Sequence, residues 1–451
     1  MDTRATDSTW EVLSSLVQAN DTAGVRALLD TLEPFDVARA VSRLTLEDRT
    51  RLLEALEPAE AADLVAELSD AQAARLIEGL SVAKAAAILD EIPSDDQADL
   101  LGLMPNPEAI LEEMSPLEAS DARRLLDYRP DTAGGLMITE YLAFRGTQTV
   151  GEIVADLERN RGSYADYSVQ YLYVVDDAAK LEGVLRMRDL VFSSPDAALS
   201  SVMIRNPISL NASAPLDDVR QFFERRNYLG VPVVEADGRL VGVVRPLAVA
   251  EETGRKTTRQ FLRVSGIVGG EEFRTMPMFV RSGRRLSWLS INIVLNIVAA
   301  SVIALYTDTL AAAIALAVFL PMISDMSGCS GNQAVAVSLR ELTLGLVRPR
   351  EVLRVIGKEA GVGAINGVVL GALLAGVAMI WKGNAYLGLI VGVSLAANTL
   401  LAVCLGGSLP LILKRVRLDP ALVSGPLLTT VTDMCGFFLV LSLASLMLTR
   451  L

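Results

Sequence analysis

The sequence predicts a multidomain membrane protein: an N-terminal α-helical solenoid, a tandem pair of α/β modules, a linking helix and an all-α transmembrane domain of five helices. Three observations predict it. Mean hydropathy is positive, +0.39, although 54 Asp+Glu outnumber 41 Lys+Arg. The charge is divided along the chain: residues 281–451 carry 13 basic and 7 acidic side chains, and residues 1–280 carry 28 and 47. Apolar residues also recur every 12 positions near the N-terminus, at Leu44, Leu56, Leu68, Leu80, Ile92 and Met104. An acidic soluble half joined to a basic, apolar half accounts for all three.

The solenoid is assigned to residues 1–130. Each member of the 12-residue series is followed within two positions by Thr, Ser or Pro and then by an Ala/Leu-rich amphipathic stretch, such as Ala59–Leu68. Such a unit is a short helix opened by a capping residue or Pro, and a series of them stacks. From Asp131 the pattern turns to strands, with modules at 131–200 and 201–250. Tyr171–Asp176 with Leu181–Asp189, and Gly230–Val234 with Arg239–Arg245, read as hairpins with acidic turns, each leading into a helix. Asn206–Leu210 reads as a further strand, ahead of a helix over Pro215–Asn227. A helix from about Leu247 to Leu262 joins the second module to the first span, and 251–280 is assigned as the linking segment.

In the transmembrane domain, 281–451, uncharged stretches locate the spans at about 286–307, 309–339, 358–381, 385–413 and 420–449. About 20 apolar residues cross the hydrocarbon core. Asp325 and Asp433 interrupt the second and fifth spans. Arg281, Arg284 and Arg285 precede the first span; Arg348, Arg350, Arg354 and Lys358 lie between the second and third; Lys414, Arg415 and Arg417 lie between the fourth and fifth. By the positive-inside rule the N-terminus is cytoplasmic and the C-terminus external. No signal peptide is read ahead of the acidic half, which agrees.

A carboxylate within a span is costly and normally faces a water-filled path or a partner. Asp433 follows Thr429-Thr430-Val431-Thr432 and precedes Gly436, and helical spacing puts Thr429 and Gly436 on its face. Pro321 breaks the second-span helix ahead of Asp325, and Asn332 lies seven residues on from Asp325, therefore on the same face, with Gln333 beside it. Oxygen donors without imidazole suit a hard cation such as Mg²⁺. Gly363, Gly367 and Gly371 form a helix-packing row in the third span.

The absence of histidine excludes a Ser-His-Asp triad and His-ligated zinc or haem. The acidic soluble half argues against nucleic acid. No Walker A sequence occurs, so ATP-driven pumping is not expected. Nothing points to an enzyme.

The two α/β segments resemble a tandem CBS pair. The order solenoid, CBS pair, linking helix and five spans resembles the MgtE family of magnesium channels across nearly the whole chain. The stretches that carry the resemblance are Asp131–Met137, Gly331-Asn332-Gln333, and Asp419–Ser424 leading to Asp433–Gly436. It implies a homodimer in the bacterial plasma (inner) membrane, whose second and fifth spans line the pore, with the family's pore Asp at Asp433. It implies passive Mg²⁺ uptake, and closure by a cytoplasmic domain that binds Mg²⁺ through acidic residues. The alternatives are a proton-coupled transporter of divalent metal, with Asp325 and Asp433 as proton sites, and a non-conducting membrane sensor.

Departures from the family pattern carry their own expectations. Cys329 stands where an Asn is common, and Gly425 replaces another. The first CBS module keeps Asp189 but has Arg186, and the second has Arg245 and Ala248, which makes nucleotide binding doubtful. The linking helix carries Arg255, Lys256, Arg259 and Arg263, with acids only at Glu251 and Glu252. Those two, with Asp95, Asp96 and Asp99 of the solenoid, are the candidate regulatory Mg²⁺ ligands. Built-in cations beside them predict weakened Mg²⁺ sensing.

Overall fold

A computed structural model of the chain describes residues 9–162, 164, 167, 170–267, 272 and 276–450. They form two compact units, Met1–Lys256 and Thr257–Leu451.

The first unit opens with short helices, among them Leu46–Ala55, Pro58–Ala66, Asp70–Glu78, Val82–Leu89 and Ser94–Leu103. Helices of 8–10 residues are marginal alone in water. They persist here because each sets an apolar face into one continuous core running from Leu13 to Ala122. The 12-residue series marks the helix ends: Leu44, Leu56 and Met104 are C-cap residues, and all six pack in or against that core. The next helix then starts at once. Thr45 Oγ1 accepts from the Asp48 amide at 3.1 Å, and Glu57 with Glu60 forms a capping box ahead of Pro58.

The α/β pair forms two four-stranded sheets, ordered β2-β3-β4-β5 and β1-β8-β7-β6. The strands are β1 (Met137–Ile138), β2 (Leu142–Arg145), β3 (Tyr171–Val175), β4 (Leu181–Arg186), β5 (Ile204–Arg205), β6 (Leu210–Asn211), β7 (Val231–Val234) and β8 (Leu240–Val244). Both expected hairpins, β3–β4 and β7–β8, are antiparallel. Asp176 Oδ1 accepts from the Ala178 and Lys180 amides at 2.8 Å to close the first turn, and Gly238 takes φ +87° in the second. Each module lends the other a strand: β1 pairs with β8 and β5 with β4. The strand expected over Asn206–Leu210 is absent. Asn206 lies at φ +49° and Pro207 has no N–H to donate, so 206–209 is a bend between β5 and β6.

Ser94 fastens the solenoid to β1's exit. Its amide and hydroxyl donate to the two Glu140 carboxylate oxygens at 2.8 Å, and its Oγ accepts from the Thr139 amide at 2.9 Å. The linking helix is Pro246–Val264, close to the helix expected over Leu247–Leu262, and it starts five residues before the 251–280 segment assigned to it. Residues 268–271 and 273–275 of that segment lie outside the described residues.

Among the described residues of the second unit, five helical segments are long and apolar enough to cross a membrane: Met278–Ala304, Ile314–Thr343, Val352–Lys382, Ala385–Arg415 and Pro420–Leu446. The second, expected over 309–339 with its helix broken at Pro321, is broken just ahead of that residue. A short helix, Thr307–Ala312, and a 3₁₀ turn, Ile314–Val318, precede the long helix Leu320–Thr343. Pro321 sits in the first turn of that helix, where its missing N–H costs nothing. The third-span glycines lie against the fourth: a Cβ on Gly367 would meet the Ala396 carbonyl at 2.6 Å, and one on Gly371 the Gly392 carbonyl at 2.5 Å. The second and fourth spans approach as closely, with Gly331 against Ala402 and Gly406 against Gly331. Membrane helices associate through such small-residue seams.

Candidate functional site

Asp433 is buried, 9% exposed, on the fifth-span helix. Its carboxylate accepts a short hydrogen bond from Ser324 Oγ, one turn into the long helix of the second span. Among the described residues Asp433 has no Lys or Arg partner. The hydroxyl of Thr429 turns back to its own helix, donating to the Gly425 carbonyl at 2.8 Å. Gly436 opens the helix surface toward the fourth span, where a Cβ would lie 2.7 Å from Asn398 Nδ2.

Asp325, Asn332 and Gln333 are not brought to Asp433. They are exposed on the second-span helix, and Cys329 joins them, its Sγ 4.0 Å from Asp325 Oδ1 at the i, i+4 spacing. The second span thus offers Ser324 inward to Asp433 and a polar strip, Asp325, Cys329 and Asn332, outward. Sequence reading missed Ser324, and it missed Asn398 altogether. A fully buried amide in an otherwise apolar span was the available signal.

The acidic cluster of the first unit is laced with cations. Arg255 bonds Asp70, lies 3.0 Å from Asp99 Oδ2, and reaches Glu252 Oε2 at 3.3 Å. Arg245 Nη2 lies 3.2 Å from Asp95 Oδ2. Glu252 and Asp95 are buried, and Glu251 is exposed. Lys256 does not face the solenoid: it pairs at 2.8 Å with Asp217 of the second α/β module. Arg263, in the second unit, pairs at 2.7 Å with Asp419, which caps the fifth span. Among the described residues no three acidic or Cys side chains are disposed to hold a metal ion.

Burial pushes Asp96 up to about 7, helped by the neighbouring Asp95 charge and only partly offset by Arg255. Asp99 is pushed up to about 6, again by burial, with Arg255 opposing. On Arg255 burial works against the charge, but Asp70, Asp99 and Glu252 outweigh it and hold the guanidinium pKa above its usual range. The sign for stability follows from the raised carboxyls. Between about pH 4 and 7 the folded unit binds more protons at Asp96 and Asp99 than the unfolded chain does. Their stabilisation is complete below the ordinary carboxylate range and is lost as pH rises through 6 and 7. Amide exchange of Ser94–Leu103, corrected for intrinsic rate, should therefore show stronger protection at about pH 5.5 than at about pH 8, with the difference reduced in Asp96→Asn. Protection that does not change with pH would rule this out.

Asp189 is held by two arginines, Arg186 Nε at 2.6 Å and Arg188 Nε at 3.3 Å, and the Arg186 hydrogen bond draws its pKa down. It does not line the cleft between the two modules. That cleft is bounded by Glu140, Tyr141, Tyr171, Gly230 and Arg245 among others.

Three profiles match in chain order: the MgtE intracellular N domain over residues 32–131, CBS domains over 133–196 and 199–252, and MgtE, described as a divalent cation transporter, over 320–443. The magnesium transporter MgtE of Bacillus subtilis (strain 168) is 30% identical over 425 residues, covering 93% of both chains. The chain belongs to the MgtE family. The magnesium transporter MgtE of Thermus thermophilus is 32% identical over 343 residues, 74% of each chain. A crystal structure of the cytosolic domain of the Mg²⁺ channel MgtE in complex with ATP matches 54% of this chain and 99% of its own, at 29% identity and a TM-score of 0.49. As an MgtE-family chain the protein is a multi-pass membrane transporter with a solenoid and CBS pair ahead of its spans.

Proposed function

We propose that the protein is a passive Mg²⁺ channel of the bacterial inner membrane, working as a homodimer with its C-terminus outside. The observation that carries this reading is the Asp433 carboxylate, buried within a span and held only by a hydroxyl. An uncompensated carboxylate there is expensive unless a cation visits it. Mg²⁺ dehydrates reluctantly, so carboxylates from two subunits, aided by backbone carbonyls, can hold a largely hydrated ion. The outward strip of Asp325, Cys329 and Asn332 supports a second copy, because a polar strip does not face lipid. The relatives' name, magnesium transporter, agrees with the cargo. Uptake then runs down the membrane potential, about 2.3 kcal/mol per charge per 100 mV.

The soluble unit regulates this pore with weakened dependence on internal Mg²⁺, because Arg255 and Arg245 already neutralise the acids an ion would bridge. The test is Mg²⁺ flux into proteoliposomes with internal Mg²⁺ and membrane potential varied. Flux should follow the potential and respond only slightly to internal Mg²⁺. Absence of Mg²⁺ flux would reject the channel, and a strict requirement for a pH gradient would establish the proton-coupled alternative.

A further inference from the structure

We propose that Asn398 of the fourth span is a positioning residue for the ion pathway, setting the rotation and depth of the second and fifth spans so that Ser324 meets Asp433. The inference rests on the reading of Asp433 as a pathway carboxylate. Asn398 is 0% exposed. Its Nδ2 donates to Ser327 Oγ at 2.6 Å and to the Thr432 carbonyl at 3.0 Å. A primary amide carries two N–H groups on one nitrogen, so an uncharged side chain can serve two helices at once.

Both acceptors flank the Ser324–Asp433 contact. Thr432 immediately precedes Asp433, and Ser327 lies one turn beyond Ser324. The Ser327 proton is already directed to the Ile323 carbonyl at 2.5 Å, which leaves Oγ to accept from Asn398. A carbonyl can only accept, so Thr432 fixes which way the amide is turned. Gly436 makes the approach possible, since a Cβ there would lie 2.7 Å from Nδ2. Asn398 Oδ1 is buried without a partner, so this side chain is retained in an apolar helix although only one end of it is satisfied. A residue kept for packing alone would be Leu or Ala, which leave no buried acceptor.

Groups that orient a metal-binding ligand typically carry a 10- to 100-fold effect on affinity or activity when removed. The experiment uses the full-length protein in proteoliposomes and measures the Mg²⁺ concentration dependence of flux, maximal flux, and discrimination against the larger Ca²⁺. Asn398→Ala should weaken apparent Mg²⁺ affinity roughly 10- to 100-fold and relax discrimination. Ser327→Ala, which removes the second-span acceptor alone, should shift both in the same direction by less. Ser408→Ala, whose hydroxyl bonds only within the fourth-span helix, should behave as the unmodified protein. Unchanged affinity and discrimination in Asn398→Ala would overturn the role, as would a lowered melting temperature with normal flux per folded molecule. If Asn398→Ala does not fold, Ser327→Ala decides, and unchanged affinity there overturns the role as well. Unchanged flux in both Asp433→Ala and Asp433→Asn, from folded protein, would instead remove the pathway reading beneath it.

Discussion

Asp433→Ala is expected to cut Mg²⁺ flux at least roughly 100-fold while the protein remains folded. The carboxylate is the one anionic group buried in the fifth span, and its single hydrogen-bond donor among the described residues, Ser324 Oγ, is neutral. Removing it leaves one hydroxyl to find another acceptor, about 1 kcal/mol, and relieves the larger cost of a buried charge. Loss of transport should therefore come without loss of the monodisperse, thermally cooperative protein. Asp433→Asn separates charge from shape, because an amide oxygen still accepts from Ser324. If both variants lose flux, the charge is what the ion requires; if only Asp433→Ala does, the hydrogen-bond geometry is. Flux near the unmodified level in both, from folded protein, would exclude Asp433 from the pathway.

How much of this was legible in the sequence depended on whether the signal was local. The solenoid was readable because a 12-residue repeat states its own helix length, and Leu44, Leu56 and Met104 indeed end their helices. The spans were readable because absence of charge is a property of the segment itself. A break near Pro321 was readable from the proline itself, but the short helix Thr307–Ala312 and the 3₁₀ turn ahead of it were not, since Thr309–Leu320 is as apolar as a continuous helix would be. The strand exchange between modules escaped as well: β1 and β5 are two residues each and take their partners from sequence-distant β8 and β4. In the candidate pathway Asp433 announced itself by its charge. Ser324 and Asn398 did not, because a hydroxyl or an amide acquires a role only when another helix brings it a partner 109 or 71 residues away. In the acidic cluster the direction of the charge pairing was readable, but its partners were not. Asp70 was absent from the expected set, and Lys256 turned to Asp217.

Arg255→Ala is expected to make the soluble unit dependent on Mg²⁺, whereas the unmodified unit should be nearly indifferent to it. One guanidinium holds Asp70, Asp99 and Glu252, with about a quarter of its side chain exposed. Its removal strands three carboxylates, two of them on solenoid helices and one on the linking helix. The cost lies between that of an exposed pair and that of a fully buried one, about 2–4 kcal/mol. For a unit of this size that lowers the melting temperature by roughly 5–12 °C. A divalent cation can then take the place the guanidinium left, since a charge of two among close carboxylates removes the same repulsion. Millimolar Mg²⁺ should restore most of the lost stability in Arg255→Ala and should protect the linking helix from proteolysis there. The unmodified protein should be equally protected with and without Mg²⁺, because its bridge is covalently part of the chain. Arg255→Lys keeps a cation but offers a point charge where a planar fork spans three partners, so it should fall between the two. Strong Mg²⁺ protection of Ala248–Val264 in the unmodified protein would show that the ion still does the bridging and that Arg255 does not replace it.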